Sequence, residues 1–289
     1  MVGILLAGGT GSRLYPLTVS TSKQLLPIYN KPLIFYSLSI LMLTGINKIA
    51  IITSPDDKES YQKLLGDGKE LGCDFQYLVQ KTPKGIAEAF IIAEEFIGIN
   101  DVALVLGDNF LYGNGLSNIL KNNTNFSGAK IFGVEVQNPQ EYGVINFNRD
   151  GTIKSLEEKP LQPKSKMAIP GVYFYKSSVV SVAKSIHPSS RGELEITSIN
   201  QHYLMNKSLS CDILPRGITW LDTGNHENLY KASEFVRVIE KNSNRKIACL
   251  EEIAFKNGYI NIDGLKSRYN KYKNSDYGNY LKYIIDESR

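Results

Sequence analysis

The amino-acid sequence predicts an α/β fold, a mostly parallel sheet covered by helices on both faces. Three observations carry that expectation. β-Branched apolar runs alternate with stretches of helical periodicity through the first half of the chain, the first run breaks into a glycine-rich turn, and after Gly143 the texture changes to short strands joined by turns.

Taken in order, residues 3–6, 48–53, 75–79, 102–106 and 130–136 read as strands, and 33–43, 57–65, 86–96 and 116–121 as the helices between them. Beyond Gly143, "EYGVINFNRDGTIKSLEEKP" and "PGVYFYK" read as antiparallel hairpins inserted beside the sheet, with Asp150-Gly151 as the tight turn. Residues 227–240 are helical again, and the polar, tyrosine-rich remainder is helix-forming. The expected division is a core domain over 1–240, with halves at about 1–140 and 141–240, and a helical C-terminal extension over 241–289.

At 289 residues and 42% hydrophobic composition, the chain buries a full core as one large domain or two closely fused ones. Its three cysteines lack C-x-x-C spacing, which argues against a disulfide framework or a thiolate metal site and fits a reducing cytosol. The first apolar run stops at Ala7 with no charged segment before it, so a cytoplasmic protein without membrane insertion is expected. A net charge of +4 is too small to argue for nucleic acid, yet its distribution is informative. No Asp or Glu precedes Asp56, while Arg13, Lys23, Lys31 and Lys48 all fall in that stretch, a balance suited to a polyanionic small molecule.

The turn "AGGTGSR" excludes two phosphate-binding motifs. A G-x-G-x-x-G dinucleotide loop starting at Gly9 needs glycine where Leu14 stands and an acid about 20 residues later, and none is there. A P-loop needs Lys-Ser or Lys-Thr after its second glycine, which is also missing. Backbone amides of Gly8 to Ser12 can still cradle phosphate, because glycine lets the main chain approach without a Cβ, and a following helix would add its positive end. Asp108 follows an apolar run and so emerges at the C-terminal end of a parallel strand, where open α/β sheets place ligands. His187, His202 and His226 sit in no triad-like or metal-like spacing, so no covalent intermediate is expected.

"LLAGGTGSRLYPLT", followed by "SKQLLPIYNKPLIFYSL" and then in order by "VQKTPKGIAEAF", "LVLGDNF", "EYGV", "EEKP", "PGVYFY", "RGELEIT" and "WLDTGNHENL", resembles the sugar-phosphate nucleotidylyltransferases over most of the chain. That resemblance implies a Rossmann-like sheet whose first half binds nucleotide and whose second half binds sugar phosphate. It implies condensation of dTTP with α-D-glucose 1-phosphate to dTDP-glucose and pyrophosphate, by Mg2+-assisted in-line displacement at the α-phosphate, at the start of dTDP-deoxysugar synthesis. Carried over by motif, Arg13 and Lys23 are catalytic cations, and Gly8, Gly9, Thr10, Gly11, Ser12, Arg13, Gln80 and Gly85 bind nucleotide. Gly143, Glu158, Lys159, Val172, Tyr173 and Arg191 fall to the sugar phosphate, with Arg191 either bracing that pocket or pairing with Glu193 or Glu195. Asp108 and Asp222 are the expected magnesium ligands, since Mg2+ takes a few carboxylates and completes its shell with water and phosphate oxygens.

Around the base, "QKTPKGIAEA" stands where relatives more often have Pro-Ser-Pro-Asp-Gly-Leu-Ala-Gln-Ala after the glutamine, which puts Lys81 and Lys84 beside the base pocket and leaves a UTP-preferring enzyme as an alternative. A second alternative is a non-catalytic homologue that binds sugar nucleotide, although such proteins tend to lose the loop cations kept here. "LYGNGL", with Tyr112, Gly113, Asn114 and Gly115, and Arg216 in "PRGITW" resemble a second nucleotide site near subunit contacts, which implies a homotetramer inhibited by a dTDP-sugar.

Overall fold

A computed structural model describes residues 1–9 and 11–288. In chain order its strands are β1 (Val2–Leu6), β2 (Pro27–Ile28), β3 (Lys31–Pro32), β4 (Lys48–Thr53), β5 (Asp74–Val79), β6 (Val102–Leu106), β7 (Asn109–Tyr112), β8 (Ala129–Glu135), β9 (Gly143–Phe147), β10 (Ile153–Glu158), β11 (Met167–Ala168), β12 (Val172–Tyr175), β13 (Leu209–Ile213) and β14 (Thr219–Asp222). The central sheet runs β10-β9-β11-β8-β12-β6-β1-β4-β5, with β13 added parallel to β8. Strands β6, β1, β4 and β5 are mutually parallel, and the β9–β12 region joins antiparallel, as the change of texture after Gly143 implied.

Both faces of β1, β4 and β6 are buried, so these strands carry nearly unbroken apolar runs, whereas edge strand β5 exposes Asp74 and Gln76. Ile4, Leu6, Ala50, Ile52 and Leu104 face one helix layer that includes Phe90, Val179 and Ile199. Leu5, Ile49, Ile51, Ala103 and Val105 alternate onto the other face, against Leu38, Leu120 and Leu250. Helix Leu33–Leu43 is apolar all round because it lies inside the second layer, with almost every residue buried. The expected helix over 86–96 is instead two short ones, Glu88–Ile92 and Glu94–Ile97, which meet where Ala93 leaves helical geometry. Asp150-Gly151 turns the β9–β10 hairpin as expected, with Gly151 at φ 83° and the Asn148 amide donating to Thr152 O at 2.8 Å.

Helix His226–Ser243 runs through position 240 and returns the chain to its beginning. Near its end, buried Glu240 accepts from Lys31 Nζ (2.8 Å) and the Ile247 amide (2.9 Å) out of water, and from the exposed Asn30 Nδ2 (2.6 Å). Burial pushes the Lys31 pKa down and Glu240 opposes it. The last helices, Leu250–Lys256, Ile262–Tyr272 and Asp276–Glu287, close a separate small core of Cys249, Leu265, Tyr280, Leu281, Ile284 and Ile285. They are tied back to the main body by Arg268, which bridges buried Glu251 (2.8 Å) and Glu70.

Removing Glu240 leaves the buried Lys31 ammonium without a counter-charge, facing the Asn30 carboxamide (2.6 Å) and the Tyr36 ring. Glu240→Ala is expected to destabilise the protein by about 3 kcal/mol or more, and Lys31→Met in that background to recover much of the loss. Urea denaturation reads both, and an unchanged midpoint in Glu240→Ala would show that the pair contributes nothing.

Candidate active site

The glycine-rich turn leaves β1 at the C-terminal edge of the sheet. A Cβ on Gly8 would stand 2.8 Å from Gln80 Oε1, Gly9 has φ 110°, and Gly11, at φ 59°, is pressed against Thr18, whose hydroxyl donates to Gly11 O (2.8 Å). Thr10 lies outside the described residues. The helix expected after the loop is absent: Ser12–Leu14 is a single 3-10 turn, because Leu14 is pulled wholly into the core and Pro16 follows. Without that helix the loop offers an anion only its backbone amides and Arg13, which is exposed and makes no ion pair among the described residues.

Asp108 follows β6 and Gly107, and meets Lys23 Nζ at 2.7 Å. Lys23 is 7% exposed, so it is less a free cation for phosphate than the buried counter-charge of Asp108. Burial alone would raise the Asp108 carboxyl, but Lys23 and then Arg13 hold it below the ordinary range. Asp222 arrives from more than a hundred residues further along the chain on β14, whose antiparallel pairing with β7 sets Asp222 opposite Asn109. Burial, then repulsion from Asp108, pushes Asp222 up to about 6. Gly224 lets Arg13 and Asp222 converge, since a Cβ there would lie 3.2 Å from Arg13 Nη2 and 3.0 Å from Asp222 Oδ2. Two oxygen donors that repel each other, without any cluster of three His, Cys, Asp or Glu among the described residues, fit a divalent cation that takes the rest of its shell from phosphate and water.

The same cleft, about 270 Å³, is walled on its other side by β9, β10 and β12. Gly143 pairs with Glu158 across β9–β10, and Thr197 donates to Glu158 Oε2, while Oε1 accepts no hydrogen bond among the described residues. Burial raises the Glu158 carboxyl, Thr197 opposes this and Glu195 adds to it. Lys159 adopts φ 40°, a left-handed conformation costly for a lysine, and its exposed ammonium makes no ion pair among the described residues. Tyr173 lines the cleft, whereas the Val172 side chain is wholly buried in the helix-facing core and can meet a ligand only through its backbone. Arg191 lines the cleft and also pairs with both Glu193 (2.9 Å) and Glu195 (3.0 Å), so the two alternatives for it coexist. Gln80 is buried beside Gly8, and Gly85, at φ 108°, is glycine because Leu194 crosses it, with Leu194 O 2.4 Å from where a Cβ would be.

Some residues of the cleft are missed by sequence reasoning. Trp220 Nε1 donates to Asn109 Oδ1 at 2.7 Å, while Asn109 Nδ2 is buried without a partner. Tyr142 packs edge-on against Trp220, ring centroids 4.8 Å apart. Asn109 and Trp220 adjoin Asp108 and Asp222 in the same short motifs, which is the only signal that could have marked them. At the far end of the β7–β14 ribbon, Gly113 abuts the turn after Arg216, with Gly217 O 2.3 Å from a Gly113 Cβ.

The family model for nucleotidyl transferases matches residues 2–238. Over 286 residues, 99% of each chain, the sequence is 50% identical to a glucose-1-phosphate thymidylyltransferase of Neisseria meningitidis, and over 288 residues, 100% of each, 46% identical to one of Mycobacterium tuberculosis. A crystal structure from Bacillus anthracis assigned as a glucose-1-phosphate thymidylyltransferase, in complex with a sucrose, superposes with a TM-score of 0.76 at 39% identity, covering 82% of this chain and 95% of that one. A UDP-glucose pyrophosphorylase complexed with UDP-glucose shares the fold, with a TM-score of 0.72 at 24% identity over 83% of this chain and 100% of that one.

Because the folded-state pKa of Asp222 is raised, the stability that this group supplies is present while it is protonated and is lost as pH climbs through about 6. Asp222→Asn is expected to raise the melting temperature at pH 8, without divalent ions, by about 2–4 °C, the shift of ~1 kcal/mol in a chain of this size. The gain should vanish near pH 4. Differential scanning calorimetry without a pH-dependent gain would show that the two carboxylates do not oppose each other.

Proposed function

Since the chain belongs to the nucleotidyl transferase family, we propose that it condenses dTTP with glucose 1-phosphate to give dTDP-glucose and pyrophosphate, by direct in-line displacement at the α-phosphorus. The observation that carries this reading is that Arg13 and Lys159, which make no ion pair among the described residues, line one cleft with two carboxylates. Loop amides around Gly8, Gly9 and Gly11 hold the triphosphate, and Arg13 offsets the charge that builds on the transferring and leaving phosphates. Lys159 holds the sugar phosphate and Glu158 the sugar hydroxyls, so the attacking oxygen is delivered rather than activated by a nucleophile. Gln80 and Gly85 meet the base, and the Gly143 and Val172 backbones, Tyr173 and Arg191 shape the sugar side. Asp108 and Asp222 would hold Mg2+, which when bound supplies charge neutralisation at the phosphates. Lys23 keeps Asp108 ionised and in place.

The helical extension over 241–289 serves assembly, and exposed Tyr230, Val238 and Tyr283 are apolar surface for subunit contacts in a homotetramer. Tyr112, Gly113, Asn114, Gly115 and the exposed Arg216, which has no ion pair among the described residues, form a second site for a dTDP-sugar inhibitor. A cytoplasmic setting suits the three free cysteines, and no described helix is long and apolar enough to cross a membrane.

Pyrophosphate release with glucose 1-phosphate, Mg2+ and each of dTTP, UTP, CTP, ATP and GTP tests the reaction. dTTP should be used best, Arg13→Ala should lower turnover roughly 100-fold with little change in melting temperature, and no release with any nucleotide would leave a non-catalytic binder. A dTDP-sugar should inhibit in a way that saturating substrates do not fully reverse, and Arg216→Ala should relieve it. Fully competitive inhibition, unaltered by that change, removes the second site.

A further inference from the structure

Lys23 opens the 3-10 turn Lys23–Leu25, is 7% exposed, and donates from Nζ to Asp108 Oδ2 at 2.7 Å. An ammonium has three N–H groups, and this is the one hydrogen bond that Nζ makes among the described residues. The same residue lines a hollow of about 230 Å³ at the glycine loop, together with Gly8, Gly11, Arg13 and Gly224. The spare donors of a buried ammonium therefore border the space that the triphosphate would fill. Charge at this point is balanced, because Lys23 and Arg13 both lie close enough to act on Asp108 and on Asp222. A divalent ion that arrives alone meets two carboxylates whose charge two cations already cancel, and one carboxylate oxygen that is already taken.

We propose that Lys23 is the protein's own stand-in for the divalent ion. With the loop empty it neutralises Asp108 and opposes ion binding, and with triphosphate in the loop it turns its ammonium to phosphate oxygens and leaves both carboxylates to the ion. This deepens the proposed function and rests on its assignment of Asp108 and Asp222 to Mg2+ and of the glycine loop to the triphosphate. The hold of Lys23 on Asp108 is then the resting state of the site. Exchange of partner keeps the ammonium paired with an anion throughout, so it exposes no bare charge in a buried place. Ion binding becomes conditional on the nucleotide, and by linkage nucleotide binding gains equally from the ion. A lysine that only held Asp108 in position would favour both ligands, whereas a stand-in favours the nucleotide and opposes the ion.

The test reads binding rather than turnover, in the full-length protein at pH 8. Mn2+ affinity without nucleotide is measured from the paramagnetic resonance of the free ion, and dTTP affinity with EDTA present by titration calorimetry. Lys23→Met should bind Mn2+ about tenfold more tightly, the effect of removing one close positive charge from a partly screened site. It should bind metal-free dTTP about tenfold more weakly, the loss of a charged hydrogen bond. Adding Asp222→Asn should abolish the gain in Mn2+ affinity. Unchanged or weaker Mn2+ binding in Lys23→Met overturns the proposal while the metal assignment stands, and so does unchanged dTTP affinity, since the ammonium then never reaches phosphate. A gain that survives Asp222→Asn puts the ion elsewhere and overturns the assignment as well. Wild-type protein that binds no dTTP, with or without the ion, overturns the nucleotide reading together with the proposal. If Lys23→Met fails to fold, as circular dichroism would report, Lys23→Gln decides in its place, because it removes the charge and still donates to Asp108. If neither folds, the wild-type melting temperature decides: a rise with Mg2+ alone as large as with Mg2+ and dTTP together overturns the proposal, and a rise only with both supports it.

Discussion

Two carboxylates that repel each other must be held at one edge of the sheet, and the rest of the cleft is arranged around that constraint. Asp108 is placed by the end of β6 and Asp222 by the end of β14, elements far apart in the chain. Their repulsion is asymmetric: Lys23 lies 2.7 Å from Asp108 and holds it ionised, so the cost of bringing the charges together falls on Asp222. A site in this condition gains most when a cation and a polyphosphate enter together, since each relieves what the other would aggravate. The near-absence of other acids on the loop side, and the unengaged Arg13 beside Gly224, follow from the same need.

The sheet makes this arrangement affordable in stability. Its parallel half is buried on both faces and rigid, so loops leaving its C-terminal edge can adopt conformations such as φ 110° at Gly9 without unravelling the strands beneath. On the sugar side an antiparallel hairpin supplies the wall instead, and the left-handed Lys159 at its end aims an ammonium outward where a regular strand would have alternated it away. The Glu240 cluster joins the end of the long C-terminal helix to the segment after the loop cations, so the last fifth of the chain braces the first.

Much of this was legible along the chain. The parallel strands, helix 33–43 and the Asp150-Gly151 turn follow from local periodicity and turn chemistry, which depend on neighbours a few residues apart. The loop residues and both aspartates were marked because each sits in a short motif of unusual composition. The break at Ala93 carries no such mark, and neither does the 3-10 turn that replaced the expected helix after the glycine loop, which depends on how deeply Leu14 is buried.

What the sequence by itself determined is the class of fold, the position of the glycine-rich loop and the identity of the charged groups, because those reside in residue type and spacing. Tertiary structure alone decided which charges are spent and which are free. Lys23 and Arg13 look alike as loop cations, yet one is neutralised by Asp108 and the other is left for a ligand. Arg191 is engaged by two glutamates while Lys159 is not, and Gln80 owes its orientation to Glu88. Pairings of this kind join segments tens to more than a hundred residues apart or depend on the exact aim of a side chain, and electrostatic free energy follows distance in space, which sequence separation does not encode.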